Sequence, residues 1–280
     1  MAADFKPEYA VDVVSRYTDA VNAADRTAMA RFLTDDYVQW HAHICRNFTW
    51  EEESRLLEQL MSSAKLTCHD VRLTPAKEGV IKRYNISLQG PEGWLARSVP
   101  ALVLFRFRGN SIYRAEEFFD ALSTDVSGLP EPCAIGEVRG QLDPAGERSQ
   151  ADIDPSDWNI PLARQVEREF TRALEAGDST SLLGLMSETS DTWFNTSQYH
   201  LNKLELGDRM GKYRRFIRNR SFRDIQVLYH PDGFLWEATL AGETDQGPVT
   251  IPFVAVADIE NEQIVRTEVY LNGASLPAQE

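Results

Sequence analysis

The stretch VPALVLFRFRGNSIYRAEEFFD at residues 99–120 decides the fold, because it returns without a gap as IPFVAVADIENEQIVRTEVYLN at residues 251–272. Both versions contain I-x-R-x-E followed closely by an aromatic residue, and both have the composition of strands. The second half of the chain therefore repeats the end of the first half.

A second block near the start of each half matches in the same order. Tyr17, Thr18, Ala20, Ala23, Asp25 and Trp40 align at one constant offset with Phe170, Thr171, Ala173, Ala176, Asp178 and Trp193. Two ordered blocks at nearly the same offset indicate a duplicated domain rather than a chance match. The predicted domains are residues 5–122 and 159–275, joined by an acidic linker rich in proline and glycine at residues 123–158.

Composition sets the broad class of the protein. The 280 residues are 42% hydrophobic and 26% charged, which is typical of a folded globular protein, and the net charge is −14. Such a charge argues against partners that are nucleic acids or anionic membranes. There is no long apolar run and no basic-then-apolar start, so we expect a cytoplasmic protein. The three cysteines are too few for a secreted disulfide framework.

Each copy places its helices before most of its strands. In the first copy, helical spacing covers residues 9–33, and a Thr49-x-x-Glu52 capping pattern starts a helix over about residues 50–63. Strand-like runs follow at residues 71–88, 96–107 and 112–119. This order predicts an α+β fold class. We expect two tandem cone-shaped domains, each with helices packed on a curved antiparallel sheet around a pocket.

The first copy resembles a known family. Residues 16–41, RYTDAVNAADRTAMARFLTDDYVQWH, contain R-Y, then N-A-x-D, then a D-D pair before a strand, which is similar to the start of ketosteroid isomerases. The ending IYRAEEFFD resembles the closing strand of SnoaL-like proteins. The chain thus resembles a tandem nuclear transport factor 2-like (NTF2-like) protein. One departure is Leu102, or an apolar neighbour, at the position of the isomerases' second oxyanion donor, an aspartic acid.

The resemblance implies a site and a class of reaction. Tyr17 stands where the isomerases have the donor to the dienolate oxygen, and His41 where they have the general base. Asp120 would orient His41 or a bound water. The implied function is a lyase or isomerase without metal or cofactor, acting on a small hydrophobic metabolite. Trp40, Tyr84 and Glu116 are the expected ligand-binding residues.

Two further expectations concern alternatives and assembly. A small-molecule binding protein or an assembly scaffold of the same fold is the alternative to an enzyme. Family members commonly dimerise through the sheet, so the two domains are expected to pack as an intramolecular pseudo-dimer, and a further homodimer is left open. No nucleic-acid or membrane partner is expected.

The repeat predicts that only one pocket is functional. Tyr17, His41 and Asp120 in the first copy become Phe170, Phe194 and Asn272 in the second, which is then a degenerate scaffold. On this basis we expect Phe194→Ala to lower stability by roughly 3–5 kcal/mol through a cavity, and His41→Ala to cost much less.

Two competing signals remain. His41, His43 and Cys45 form H-x-H-x-C, which would put three zinc ligands on one face of an uninterrupted strand, although a pocket histidine, an exposed histidine and a buried thiol are favoured instead. KYRRFIRNRSFR at residues 212–223 could bind a phosphorylated ligand, a coenzyme A tail or RNA, but a solvated helix paired with linker acids is preferred. The chain has no G-x-S-x-G, P-loop, H-E-x-x-H or C-x-x-C motif.

Overall fold

The chain divides into two compact units, Met1–Ile153 and Asp154–Glu280, in a computed structural model that describes residues 6–90, 98–120 and 158–273. Almost all of the predicted linker lies outside the described residues, so its bounds remain a prediction, as does the packing of the units as a pseudo-dimer. Among the described residues, no helix combines the length and the apolar character that crossing a membrane requires.

The first unit begins with helices and ends in a four-stranded meander. Its elements are α1 (Pro7–Asn22), α2 (Arg26–Ala30), β1 (Leu33–His41), β2 (Arg46–Thr49), α3 (Trp50–Ser63), β3 (Lys65–Ala76), β4 (Gly79–Gln89), β5 (Val99–Arg108) and β6 (Ser111–Phe119). The strand-like run predicted at residues 71–88 is in fact two strands, because the chain turns between Ala76 and Gly79.

Local sequence explains where the helices start and which side they bury. Pro7 opens α1, whose apolar side, including Val14 and Tyr17, packs into the core. The predicted capping box of α3 is present, since Thr49 accepts a hydrogen bond from the backbone N–H of Glu52 and the Glu52 side chain accepts one from the Thr49 backbone. The start of α3 is therefore fixed to the end of β2.

The first sheet has the strand order β2-β1-β6-β5-β4-β3. Its meander is antiparallel, as predicted, but β1 runs parallel to β6, so the sheet is mixed. The reason is the connection, since α3 and four strands intervene between β1 and β6 and allow β6 to return in the same direction.

The second unit repeats this plan element by element. It contains α4 (Ile160–Ala176), α5 (Ser179–Gly184), β7 (Met186–Phe194), β8 (His200–Asn202), α6 (Lys203–Phe216), β9 (Arg218–His230), β10 (Gly233–Thr244), β11 (Gly247–Glu260) and β12 (Gln263–Leu271). The strand order is β8-β7-β12-β11-β10-β9, with β7 and β12 parallel. Helix α6 ends at Phe216, so Arg218 lies on β9 and does not share a helix face with Arg214.

The same backbone constraint recurs in both sheets. At Gly79 of β4 a Cβ atom would collide with the backbone oxygen of Phe105, and at Gly233 of β10 it would collide with that of Ala257. These glycines occupy equivalent places, because Gly79 pairs with Arg106 and Gly233 pairs with Asp258 in the repeated segments. The duplication predicted from sequence thus extends to the register of the strands.

Candidate functional site

A group of buried polar side chains lies on the helix-facing side of the first sheet. We call it the polar cluster, and its members are Tyr17, Tyr37, Gln39, His41, Glu53, Tyr84 and Glu117. They come from α1, β1, α3, β4 and β6. Buried polar groups are costly unless they are paired, so a cluster of this size inside a small domain points to function.

His41 is the centre of the polar cluster. Its Nε2 atom lies 2.8 Å from Oε2 of Glu53, and its Nδ1 atom lies 3.1 Å from Oε2 of Glu117. The side chains of His41 and Glu53 are 5% exposed and that of Glu117 is 12% exposed. Because both ring nitrogens face carboxylates, a doubly protonated imidazolium fits this arrangement best.

Hydrogen bonds connect the remaining members to this centre. The hydroxyl of Tyr84 donates to Oε1 of Glu117 at 2.7 Å, and Nε2 of Gln39 donates to the other Glu117 oxygen at 3.4 Å. Tyr37 donates to Oε1 of Gln39 at 2.7 Å and interacts with Tyr17. These contacts place Tyr17 on α1 next to a hydrogen-bonded group that includes Gln39, Glu117 and Tyr84.

Strand alternation and helix placement build the polar cluster. Tyr37, Gln39 and His41 are two residues apart along β1 and so share one face. His41 is the direct neighbour of Glu117 across the parallel β1–β6 pair. Glu53 belongs to the first turn of α3, where the helix dipole favours a negative charge and the capping box fixes the start of the helix.

The charges in the site shift the pKa values of His41 and Glu117 in opposite directions. Burial by itself would lower the pKa of His41, but the charge of Glu53 and the hydrogen bond with Glu117 raise it from 6.5 to about 10. Burial would raise the pKa of Glu117, but its hydrogen bond to His41 and the charge of His41 lower it to about 2. At neutral pH the site therefore holds His41 as a cation and Glu117 as an anion.

The same charges also shift the pKa values of two neighbouring side chains, His43 and Tyr17. Burial, and then the positive charge of His41, lower the pKa of His43 to about 3, so this second histidine is neutral. Burial, followed by the charges of Glu53 and Glu117, raises the pKa of Tyr17 above its usual value of 10. The Tyr17 hydroxyl therefore keeps its proton and can act as a hydrogen-bond donor.

Lys82 places a buried amine beside the polar cluster. It lies on β4 two residues before Tyr84, and its Nζ atom is 4.0 Å from the centroid of the Tyr84 ring. Burial lowers the pKa of Lys82, while Cys68 and then Glu117 act in the opposite direction. The interior of this domain therefore combines donors, acceptors and fixed charges.

The structure brings together some of the predicted site residues and separates others. Tyr17, His41 and Tyr84 all belong to the polar cluster. Trp40 and Glu116 have the opposite strand parity to His41 and Glu117 and so lie on the other face of the sheet. Neither can line the face that carries His41, which corrects their expected role as ligand-binding residues on that side.

Glu116 has a structural environment. It is fully buried, with its carboxylate 2.7 Å from Nε of Arg114 and 3.3 Å from Nε of Arg106. Asp120 is buried at the end of β6, but the carboxylates that contact His41 in the described part of the chain are Glu53 and Glu117. These two glutamates, rather than Asp120, orient the His41 ring.

Sequence reasoning missed Glu53 and Glu117. A signal for Glu117 was available, because the gapless repeat aligns it with Val269, a charged-to-apolar difference beside the retained pair Glu116 and Glu268. The signal for Glu53 was the equivalent capping box of α6, which places Leu206 at the same helical position. In both cases a polar residue of the first copy is replaced by an apolar residue in the second, as His41 is replaced by Phe194.

The second domain has apolar side chains at five of the seven equivalent places, while Ser190 and Thr192 stand where the first has Tyr37 and Gln39. Phe194 neighbours Val269 across the β7–β12 pair as His41 neighbours Glu117. The counterparts of Tyr17, His41, Glu53, Tyr84 and Glu117 are Phe170, Phe194, Leu206, Ala238 and Val269. All five belong to the hydrophobic core of the second unit or pack against it. The two domains thus share a frame but differ in chemistry.

The H-x-H-x-C pattern does not have the geometry that a zinc site on a strand would need. Strand β1 ends at His41, and residues 42–45 form a turn. Cys45 is disulfide-bonded, whereas Cys68 is a free, buried thiol. Within residues 6–90, 98–120 and 158–273, no group of three or more His, Cys, Asp or Glu side chains is arranged to hold a metal ion.

Comparison with known proteins finds similarity only in structure. No protein-family model and no curated protein matches the chain. An NTF2-like protein from Anabaena variabilis is 15% identical, with a TM-score of 0.39, over 45% of this chain and 97% of its own. A hypothetical protein from Catenulispora acidiphila with a ketosteroid isomerase-like fold, solved with trimethylamine, is 13% identical, with a TM-score of 0.36, over 40% of this chain and 88% of its own.

The fold assignment rests on the architecture of the chain itself. Each unit places its first helices before the sheet, inserts one helix after the second strand, and closes a six-stranded mixed sheet with a strand parallel to the first. With this arrangement present twice, the chain has the tandem NTF2-like fold that its sequence predicts.

Proposed function

We propose that the first domain is a cofactor-independent lyase or isomerase, which moves a proton on a small hydrophobic metabolite that contains a carbonyl group or a ring. The observation that carries this proposal is the contrast between the domains. The first maintains a buried Glu53–His41–Glu117 arrangement, while the second has the apolar residues Leu206, Phe194 and Val269 at these three places. A buried ionic arrangement is weak evidence for stability, so function is the better reason for its presence.

The proposal changes the role that the family resemblance implies for His41 from base to acid. His41 already carries a proton at neutral pH, because the two glutamates raise its pKa to about 10, so it acts as the acid. Glu117 is the proton acceptor. Its pKa is low only while His41 is charged, so donation of the His41 proton to the substrate makes Glu117 a stronger base.

An elimination can be written with these groups alone. Glu117 takes the proton from the carbon next to the carbonyl, and the electron pair of that C–H bond forms the C=C bond. The leaving hydroxyl departs as water with the proton of His41. The proton now on Glu117 returns to His41 across their 3.1 Å contact, which restores the starting state. In an isomerisation, Glu117 instead returns the proton to another carbon.

Tyr17 is the proposed donor to the developing enolate oxygen. Its hydroxyl stays protonated because burial raises its pKa, and it lies next to the hydrogen-bonded group that includes Gln39 and Glu117. A fixed donor in a buried site stabilises a developing negative charge without reorganisation of solvent.

A binding protein without chemistry is the second candidate, and one observation favours it. Both nitrogens of His41 already face carboxylates, and pKa values of about 10 and about 2 are far from those of the best general acids and bases at neutral pH. In this case the polar cluster would recognise a polar group of a ligand.

Turnover measurements separate the two candidates. We expect the full chain to convert at least one compound in a panel of enones, β-hydroxy carbonyls and epoxides. Glu117→Gln should then lower kcat/KM by roughly a hundredfold, because it removes the proton acceptor but keeps the shape of the side chain. Tyr17→Phe should also lower it, whereas the matched exchange Phe170→Tyr in the second domain should not. Saturable binding without turnover would support the binding protein, and equal effects of Tyr17→Phe and Phe170→Tyr would contradict a site in the first domain.

A further inference from the structure

The second domain contains a cavity where α4 ends and α6 leads into β9. Its volume is about 270 Å³, and its walls include Leu174, Gly177, Arg214, Ile217, Arg220 and Phe222. Polar groups make up most of its accessible lining, with a smaller contribution from apolar side chains. We call it the arginine cavity. It belongs to the segment of residues 212–223 that stands out in the sequence as the basic patch of an acidic protein.

Two guanidinium groups converge in the arginine cavity. A side-chain carbon at Gly177 would lie 3.1 Å from Nη2 of Arg214 and 3.3 Å from Nη2 of Arg220. The two nitrogens are therefore no farther apart than the sum of these distances. Burial, and then the charge of Arg214, lower the pKa of Arg220, as expected for neighbouring like charges. Within the part of the chain that the structure describes, neither guanidinium forms an ion pair or a hydrogen bond.

The backbone holds these like charges together. Gly177 ends α4 in the left-handed region, with φ of 64°, and has no side chain to fill the space between the arginines. Ile217 is buried and anchors the junction of α6 with β9. At Gly242 of β10 a Cβ atom would collide with Ile217 and approach the stem of Arg220, so this glycine makes room for the cavity wall.

Nearby acidic groups leave the cavity with positive charge. Arg218, at its rim, forms an ion pair with Asp245 at 2.9 Å. Asp178 interacts electrostatically with Arg214, but its oxygens accept hydrogen bonds from Thr180 and Ser181 at the start of α5. Glu175 also contributes to the lining but is exposed. Two guanidiniums therefore remain available to an anion.

We propose that the arginine cavity binds a small phosphomonoester. A phosphate dianion can bridge two guanidinium groups and so remove their mutual repulsion, which a single carboxylate does less completely. The cavity is larger than a phosphate group alone needs, which leaves room for the organic part of a small ester beside the Phe222 side chain. This site lies in the second domain and is independent of the proton-transfer proposal.

A structural role for the arginines is the competing explanation. The C-terminal end of α4 carries partial negative charge, and Arg214 and Arg220 lie beside it, so they could simply stabilise the helix end. This role would make both arginines matter for stability but not for ligands.

Titration of the full chain with phenyl phosphate and inorganic phosphate tests the proposal, with isothermal calorimetry and the ligand-induced rise in melting temperature as readouts. We expect saturable binding of phenyl phosphate, weaker binding of inorganic phosphate, and loss of affinity as salt is added. Arg214→Gln and Arg220→Gln should each weaken phenyl phosphate binding by roughly 10- to 100-fold, since each removes a charge-assisted contact.

Arg215→Gln is the matched control, because Arg215 lies next to Arg214 on α6, is exposed, and is not part of the cavity lining. It changes the net charge equally and should leave binding unchanged. The proposal is overturned if phenyl phosphate does not bind saturably, if it binds no better than inorganic phosphate, or if Arg215→Gln weakens binding as much as the cavity variants do. Lower melting temperatures of the cavity variants with unchanged affinity would establish the structural role instead.

Discussion

His41→Ala is expected to destabilise the first domain by about 3–5 kcal/mol, because it leaves two buried carboxylates without their shared cation. Glu53 and Glu117 contact opposite sides of the imidazole, at 2.8 and 3.1 Å, and both side chains are largely buried. Urea denaturation of the full chain measures the loss. Hydrogen exchange of the β1 and β6 amides assigns the transition to the first domain.

The second domain supplies the control for this prediction. The triple variant His41→Phe, Glu53→Leu, Glu117→Val installs the apolar residues found at Phe194, Leu206 and Val269. Removal of a complete buried ionic group costs little or adds stability, whereas removal of one member is strongly destabilising. We therefore expect the triple variant to be at least as stable as the wild type. A triple variant as unstable as His41→Ala would show that shape, rather than unpaired charge, determines the loss.

The structure removes the difference in stability loss that the sequence predicted between His41→Ala and Phe194→Ala. Phe194 is buried in the second core, and its truncation should still cost roughly 3–5 kcal/mol through a cavity. His41 was expected to cost much less, since a pocket residue contributes little packing. Once it is seen between two buried carboxylates, the cost of His41→Ala becomes about as large.

The features that could be predicted from the sequence are those that produce a recognisable pattern of residues along the chain. The repeat indicates two domains because equivalent residues recur at a constant offset. The start of α3 is readable because Thr49 and Glu52 satisfy backbone groups within one turn of each other. The relative direction of the strands is harder to predict from the sequence. The parallel pairing of β1 with β6 joins residues far apart in the chain, such as His41 and Glu117, and leaves no local pattern.

The neighbouring glutamates of β6 illustrate why the site could be predicted only in part. Glu116 and Glu117 are adjacent and chemically identical, yet alternation along the strand sends one to the arginines on one face and the other to His41. Which of the two faces inward depends on the register of β6 against its neighbours, and a shift by one residue would exchange them. Only the comparison with Glu268 and Val269 in the second copy carries this information in the sequence.

The pH dependence of stability provides the second large effect. The pKa of His41 rises from 6.5 to about 10 on folding, so its contribution to stability is complete below pH 6.5 and is lost as the pH rises through 10. The pKa of Glu117 falls from 4.5 to about 2, so its contribution is complete above pH 4.5 and is lost as the pH falls through 2. The lowered pKa of His43, about 3, likewise reduces stability below pH 6.5.

On the alkaline side, therefore, the wild type should lose stability through His41 alone among these three groups. One proton released at a shifted site changes the free energy of unfolding by about 1.4 kcal/mol per pH unit, so the loss between pH 7 and pH 9.5 is roughly 3 kcal/mol. The variant with His41→Phe, Glu53→Leu and Glu117→Val lacks this proton and should be flatter over the same range. Urea denaturation of both proteins at the two pH values measures the difference. Parallel pH profiles would mean that His41 is not held as a cation by its two glutamates, and the acid role proposed for it would fail with that result.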